Sequence, residues 1–382
     1  MVEGRTIVCF ASGYEAPPTS KHHVMHLLAE QNRVLWVNYH GSRAPSASTS
    51  DLKYMGKKLA QVFAGLKNPR QNLYVLTPLL VPLPGKAWAA RLNKWMLVRQ
   101  IQRALKEIHT GPLQIWSFTP DISYLLDRFE AEKVLYYCVD DHSSFTGYNV
   151  EQVLREEKDL CERADLVVTT SMALQEAKQA WNSHTILVPH GVDFDHFYQA
   201  VSQPLPVPAD MAAIPRPRLG FFGLLRDWVD VDLMAEVACR RPDWHVVVLG
   251  GSTIDLKPYE TIANLHFLGP KSYADLPAYC RAFDVGLIPF KINQLTYAVN
   301  PIKLREYLAA GLPVVSTPLP EVKLYSHLVE VADTPEAFVD AIGRFLQEEP
   351  AVKQKRIEAM AHEKWPDKLS MITQALEKQI SL

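Results

Sequence analysis

Three short stretches carry side chains whose types and spacing can do chemistry. In "YAVNPIKLREYLAAGLPVV", Asn300 can cap a helix, Pro301 suits its first position, and Lys303 and Glu306 fall three residues apart on one side. The unbonded N–H groups of a first helical turn attract an anion, and Lys303 would add a full charge there. Glu306, one turn further on, suits a diol such as a ribose, while Leu304, Tyr307 and Leu308 point into a core. Tyr297 stands just ahead of the helix, and Gly311 and Pro313 end it. In "YYCVDDHSSFTGY", Asp140, Asp141 and His142 follow an apolar run, where a carboxylate could take the proton of an attacking hydroxyl. Asp141, being further past the run, is preferred slightly, and His142 is the reserve. In "RLGFFGLLRDWVDVDLM", Arg226 follows a turn at Gly223 and could flank a diphosphate together with Lys303. Each stretch has a plainer alternative: a capped surface helix with a weak ion pair, an Asp that caps a loop, a solvated arginine.

Further candidates are single residues. Gly13 in "ASGYEAPPTSKHHVM" permits close backbone approach, Ser20 can cap the following helix, and His22 and His23 could face a cleft. His190 ends the run "TILVPH" and could line the same cleft. The plainer alternatives are a capped turn and structural histidines.

Elements must hold these residues in place, and the chain supplies them by alternation. The runs "TIVCFA", "RVLWVNY", "NLYVLTP", "LQIWSF", "KVLYYCV", "DLVVTTS" and "TILVPH" alternate with helical patterns such as "SKHHVMHLLAEQ" and "NVEQVLREEKDLCERA". Continuous apolar strands separated by helices predict an α/β, doubly wound parallel sheet over residues 1–197. The proline-dense stretch "SQPLPVPADMAAIPRPR" predicts a linker over 198–217. A second Rossmann-like sheet is expected over 218–362, from "RLGFFG", "WHVVVLGG", "NLHFLG", "VGLIPF", "PVVSTP" and "LVEVAD". A C-terminal helix over 363–382 is expected to pack back on the first domain. The ends of parallel strands in two such domains are expected to face one cleft, where ligands bind.

Bulk properties narrow the class. The 382 residues are too many for one ordinary core, and a 48% hydrophobic, 21% charged composition is that of a globular protein. The stretch "MVEGRTIVCFASGY" does not have the form of a signal peptide, and no uncharged run is long enough to span a bilayer. Five scattered cysteines without a C-x-x-C pair are expected to be reduced and structural, in a cytoplasmic protein. The net charge of −2 hides an asymmetry: residues 52–107 carry eleven Lys/Arg and one acid, a net +10, which leaves −12 for the remainder. Within that block, "GKAWAARLNKWMLVRQIQRALKE" puts Trp88, Leu92, Trp95 or Met96, and Arg99 at helical spacing, with Lys94 among them. This is the pattern of an amphipathic helix docking on an anionic membrane surface, or of a core helix with a solvated basic face.

The stretch "NPIKLREYLAAGLPVVSTPLPEV" resembles the donor-site motif of GT-B glycosyltransferases, especially the family 4 type and related bacterial polysaccharide enzymes. "RLGFFGLLRDWVDVDLM", "ADLVVTTSMALQEA…TILVPHGVDFDHF" and "SYADLPAYCRAFDVGLIPF" resemble other segments of that family, in the family's order. The resemblance implies the GT-B fold, with Gly223, Arg226, Tyr297, Asn300, Lys303 and Glu306 on the donor and Asp140, Asp141 or His142 as base. It implies transfer of a sugar from a UDP- or GDP-sugar to a hydroxyl of an acceptor glycan, expected to be polyprenyl-diphosphate-linked. No metal-binding Asp-x-Asp on an exposed loop is apparent, so no metal or other cofactor is expected, and no nucleic acid partner. Two departures stand out: Ala298 occupies the place of the family's first donor-site Glu, and "IWSFTPD" lacks the usual His. A nucleotide-sugar 2-epimerase of the same fold, or a non-catalytic sugar-nucleotide-binding protein, would share the helix.

Overall fold

The computed structural model describes residues 2–39, 65–81, 83 and 86–378. It divides into two compact units, residues 1–189 with 369–382, and residues 190–368.

The first unit follows the predicted alternation. In chain order it contains β1 (Thr6–Ala11), α1 (Ser20–Leu28), β2 (Arg33–Asn38), β3 (Lys67–Arg70), β4 (Leu73–Leu76) and α2 (Ala87–Ile108). Then come β5 (Leu113–Ser117), β6 (Ala131–Cys138), α3 (Val150–Arg163), β7 (Leu166–Thr169), α4 (Met172–Gln179) and β8 (Thr185–Leu187). They form one sheet in the order β3-β4-β2-β1-β5-β6-β7-β8, parallel except for β3, which pairs antiparallel with β4. The central strands are buried along their full length because helices cover both faces, and their apolar runs are therefore continuous. Strand β3, "KNPR", has no apolar signature and sits at the sheet edge, where charges and proline are tolerated.

The second unit holds α5 (Phe194–Ser202), β9 (Arg218–Phe222), α6 (Val231–Arg240), β10 (His245–Leu249), β11 (Leu265–Phe267), α7 (Leu276–Ala282), β12 (Val285–Ile288) and α8 (Gln294–Tyr297). It continues with α9 (Ile302–Ala309), β13 (Val314–Ser316), α10 (Pro320–Lys323), β14 (Glu330–Val331), α11 (Pro335–Phe345) and α12 (Pro350–Ala361). Its six strands run β11-β10-β9-β12-β13-β14, all parallel. The last helix, α13 (Trp365–Lys378), begins in the second unit and ends in the first.

The division falls at Pro189, ahead of the expected limit at 197, because α5 packs its Phe197 into the second core. The proline-dense stretch also differs from a free linker. Met211 and Ile214 are buried in that core, and Lys271 and Tyr279 bind the Asp210 carboxylate at 2.6 Å and 2.8 Å. The Arg218 guanidinium donates to the Ile214 carbonyl at 2.6 Å. Prolines exclude helix and strand there, yet the side chains between them still find apolar and charged partners.

Candidate functional site

In the second unit, chemistry gathers where β9 ends. Gly223 follows that strand with φ +143°, a backbone conformation open mainly to glycine. A Cβ on Gly223 would lie 2.4 Å from Lys303 Cε and 2.8 Å from Lys303 Nζ, so the lysine chain lies directly over the turn. The neighbouring turn after β10 nests against it, since a Cβ on Gly250 would fall 1.9 Å from the Gly223 carbonyl oxygen. Gly250 carried no separate signal in the sequence beyond the dipeptide "GG" that ends a strand.

Lys303 reaches this turn because α9 is anchored from below. The Tyr307 hydroxyl donates to the Gly220 carbonyl at 3.2 Å and accepts from the Phe222 N–H at 3.2 Å, fixing the helix against β9. Arg226, three residues beyond Gly223, is half-buried with its guanidinium over Trp228 at 5.5 Å. Its Nε is buried and finds no acceptor among the described residues. A buried charged donor without an acceptor is costly, and an anionic ligand would supply one.

Glu306 is 5% exposed, and burial pushes its carboxyl up to about 7; Lys303 pulls the other way and Asp193 adds to the rise. Asp193 and Tyr273 therefore belong to the Glu306 surroundings, although neither stood out in the sequence. Tyr297 is largely exposed at the end of α8, and Ala298 beside it is buried.

Asn300 is a correction. The helix starts at Ile302, and Pro301, not Asn300, takes the cap position. Its side chain is buried instead, accepting from Arg305 Nη1 at 2.6 Å and donating to Glu321 Oε2 at 3.1 Å. The buried Arg305 guanidinium needs an acceptor more than the helix end needs a cap.

In the first unit, β6 delivers Asp140, Asp141 and His142 just past its C-terminal end. Asp141, the base the sequence slightly prefers, is tied into its own turn. Its carboxylate caps a 3₁₀ turn over His142–Ser144, accepting from Ser143 N at 3.1 Å and from Ser143 and Ser144 Oγ at 2.6 Å each. Burial raises its affinity for a proton, but the Ser143 and Ser144 hydrogen bonds and the Lys178 charge outweigh that and hold it below the usual range. A carboxylate so occupied is a poor proton acceptor. Asp140 is half-buried and within electrostatic reach of Lys21, whose ammonium donates to Ser12 Oγ. Lys21 was missed because "SKHH" reads as a helix start. Burial depresses the Lys21 ammonium, and the Cys9 thiol and the Asp140 carboxylate offset part of that.

His142 is held below the ordinary imidazole range by burial, countered in part by Glu157. Its Nε2 is buried with no hydrogen-bond partner among the described residues. Beneath this turn lies a buried ion pair, Lys178 Nζ to Glu157 Oε2 at 2.6 Å, with the Tyr136 hydroxyl donating to Glu157 Oε1 at 2.7 Å.

The remaining first-unit candidates separate. His22 is buried and structural: its Nδ1 accepts from Thr19 N at 3.1 Å, its Nε2 lies 3.1 Å from the Tyr14 carbonyl, and burial lowers its pKa to about 4. The helix begins at Ser20 with Thr19, not Ser20, at the cap position. His23 is half-buried, and a Cβ on Gly13 would meet nothing within 4 Å. His190, the candidate at the start of the second unit, is buried against the Trp365 ring at 5.9 Å.

Helix α2 carries two apolar stripes. Leu97, Ile101, Ala104 and Ile108 are buried, whereas Trp88, Leu92 and Trp95 are exposed. Arg99 lies over the Trp95 ring at 4.9 Å and Lys94 over Tyr124 at 4.1 Å. The basic residues Lys53, Lys57 and Lys58 lie outside the described residues. No described helix is long and apolar enough to cross a membrane.

Residues 216–348 match the family model "Glycosyl transferases group 1". TuaH of Bacillus subtilis (strain 168), named as a teichuronic acid biosynthesis glycosyltransferase, is 25% identical over 252 residues. That match covers 61% of this chain and 63% of TuaH, so the similarity spans less than two thirds of the relative. Among solved structures, sucrose-phosphate synthase from Thermosynechococcus elongatus superposes with a TM-score of 0.71 at 15% identity, covering 99% of both chains. HepE of Anabaena, solved in complex with UDP and glucose, gives 0.66 at 15% identity over 98% of this chain and 99% of its own. These likenesses extend over nearly the whole length of the chain and show its fold. The chain has the GT-B fold, and its residues 216–348 are similar to the glycosyl transferases group 1 family.

Proposed function

We propose that this chain is a glycosyltransferase that moves a sugar from a nucleotide diphosphate sugar to a hydroxyl of an acceptor glycan. The observation that carries the reading is the turn after β9, where Lys303 folds over Gly223 and the buried Arg226 Nε lacks a protein acceptor. As the bond from the anomeric carbon to the diphosphate oxygen breaks, negative charge grows on the leaving nucleoside diphosphate. Two fixed cations in a partly dehydrated turn stabilise that charge more than they stabilise the intact donor. We assign this task to Lys303 and Arg226 rather than to a metal. Glu306 fits the ribose, and a carboxyl poised near neutrality can accept or donate to a diol.

Asp140 is the base we favour, since it stands half-buried just past the end of β6 within electrostatic reach of Lys21. It would take the proton of the acceptor hydroxyl as oxygen attacks the anomeric carbon. The donor class we favour is a UDP-sugar, because a structural neighbour was solved with UDP. A lipid-linked acceptor of bacterial surface polysaccharide fits both the likeness to TuaH and the exposed basic, aromatic face of α2, which would dock on the inner face of the cytoplasmic membrane.

The test is release of UDP from UDP-sugars in the presence of lipid-linked glycan extracts. Release that needs acceptor, survives EDTA and is lost in Asp140→Asn supports the assignment. Conversion of the donor to an epimer without UDP release would replace it with an epimerase, and full activity in Asp140→Asn would remove Asp140 as base.

A further inference from the structure

We propose that Leu79, Val81 and Leu83 with helix α2 form one preassembled platform that inserts apolar side chains into the interface of an anionic lipid bilayer. The proposal rests on the membrane-docking reading above, and adds to it a second element and an insertion step that charge alone does not provide.

The first observation is the pair of stripes on α2. A helix that satisfied only its own core would need Leu97, Ile101, Ala104 and Ile108, all of which are buried. Trp88 and Trp95, each 57% exposed, and Leu92, 37% exposed, repeat at i, i+4 and i+7 and so form a separate stripe on the solvent side. The segment before the helix adds Leu79 at 42% and Leu83 at 47% exposure.

The second observation is how that segment is held. Gln100 pairs with both backbone groups of Leu79: its Oε1 accepts from Leu79 N at 2.9 Å and its Nε2 donates to Leu79 O at 3.0 Å. Asn93 does the same for Val81, accepting from Val81 N at 2.6 Å and donating to Val81 O at 3.0 Å. Positions 93 and 100 lie two helical turns apart, so the segment is clamped lengthwise along one flank of α2. In water such clamps are dispensable, because solvent satisfies an exposed backbone. At a lipid interface an unpaired N–H or C=O is costly, and side-chain amides that pair with both remove that cost. Leu79 is thereby presented outward on a backbone whose N–H and C=O are both paired, and the Leu83 N–H donates to the clamped Val81 carbonyl at 2.9 Å.

The third observation is charge. Residues 87–108 hold Arg91, Lys94, Arg99, Arg103 and Lys106 against the single acid Glu107. Apolar anchors rimmed by cations match an anionic bilayer surface, where each basic residue adds attraction and each buried apolar group adds a component that salt does not screen.

The full chain is titrated with vesicles of phosphatidylcholine alone and of phosphatidylcholine with phosphatidylglycerol, read by flotation and by tryptophan quenching with brominated lipid. Wild type is expected to bind the anionic vesicles and to keep part of that binding in high salt. Quenching should be lost in Trp88→Phe/Trp95→Phe. Leu79→Ser/Leu83→Ser changes only exposed side chains and should weaken binding at least about tenfold and abolish its salt-resistant part. Asn93→Ala/Gln100→Ala should do the same with the leucines intact. Anionic binding that is unchanged in both double variants would overturn the platform while leaving charge-driven docking by α2 in place. Absence of binding to either vesicle would overturn both and point to a protein partner for this face.

Discussion

Glu306→Gln is predicted to stabilise the protein above neutral pH while leaving it unchanged in acid. Glu306 is buried, and its carboxyl is pushed up from 4.5 to about 7 by desolvation, with Lys303 countering and Asp193 reinforcing. The folded state therefore keeps a proton that the unfolded chain has already released, and stability falls as pH rises from about 4.5 to about 7, then stays level. Raising the carboxyl from 4.5 to about 7 gives a cost on the order of 3 kcal/mol at pH 8. Glutamine keeps the shape and cannot ionise, so it escapes that cost. At about 2–4 °C per kcal/mol for a unit of this size, Tm at pH 8 should exceed wild type by about 6–12 °C, with the two curves meeting near pH 4.5. Thermal melts followed by circular dichroism across that range measure the difference. Parallel curves for the two proteins, or a variant less stable at pH 8, would refute the reasoning. A carboxylate retained at such a cost is one whose worth lies in binding rather than in folding.

Other expectations follow from the same contacts. Gly223→Ala places a methyl where Lys303 lies, at φ +143°, and should lower UDP affinity at least about tenfold by displacing the ammonium, as read by calorimetry. Asn300→Ala should cost about 1–3 kcal/mol in chemical denaturation by removing one hydrogen bond from each of Arg305 and Glu321, yet change UDP affinity less than about threefold; a large loss of affinity would support Asn300 as a ligand contact. Lys178→Met leaves the Glu157 charge buried alone and should cost about 3–5 kcal/mol, most of it recovered in Glu157→Gln/Lys178→Met; equal loss in both would show that packing, not charge, dominates.

Much of the fold was legible because buried parallel strands leave continuous apolar runs, as in "TIVCFA" and "RVLWVNY". The edge strand "KNPR" was not, since an edge position makes no apolar demand. Proline density in 203–217 ruled out regular structure but carried no information on whether Met211 and Ile214 would be buried. At the candidate site, the Gly223 turn and Lys303 were readable because each needs a particular residue type in a particular place. Asn300 and Asp141 have buried or local partners that the sequence did not show, for a shared reason. A polar side chain near a helix or strand end has the same local signature whether it meets a ligand or a buried neighbour, and long-range partners decide. Lys21 and Asp193 were invisible for the converse reason, since only the fold brings Lys21 toward Asp140 and Asp193 toward Glu306.

The central claim is that the turn after β9 and the first turn of α9 hold a nucleoside diphosphate. Titration of UDP into wild type and into Lys303→Ala and Arg226→Ala, by calorimetry at two salt concentrations, tests it most directly. The account predicts saturable binding by wild type that weakens with salt, and a loss of about 1.5–3 kcal/mol, tenfold or more, in each variant. Wild-type binding of UDP that both variants retain in full would contradict it.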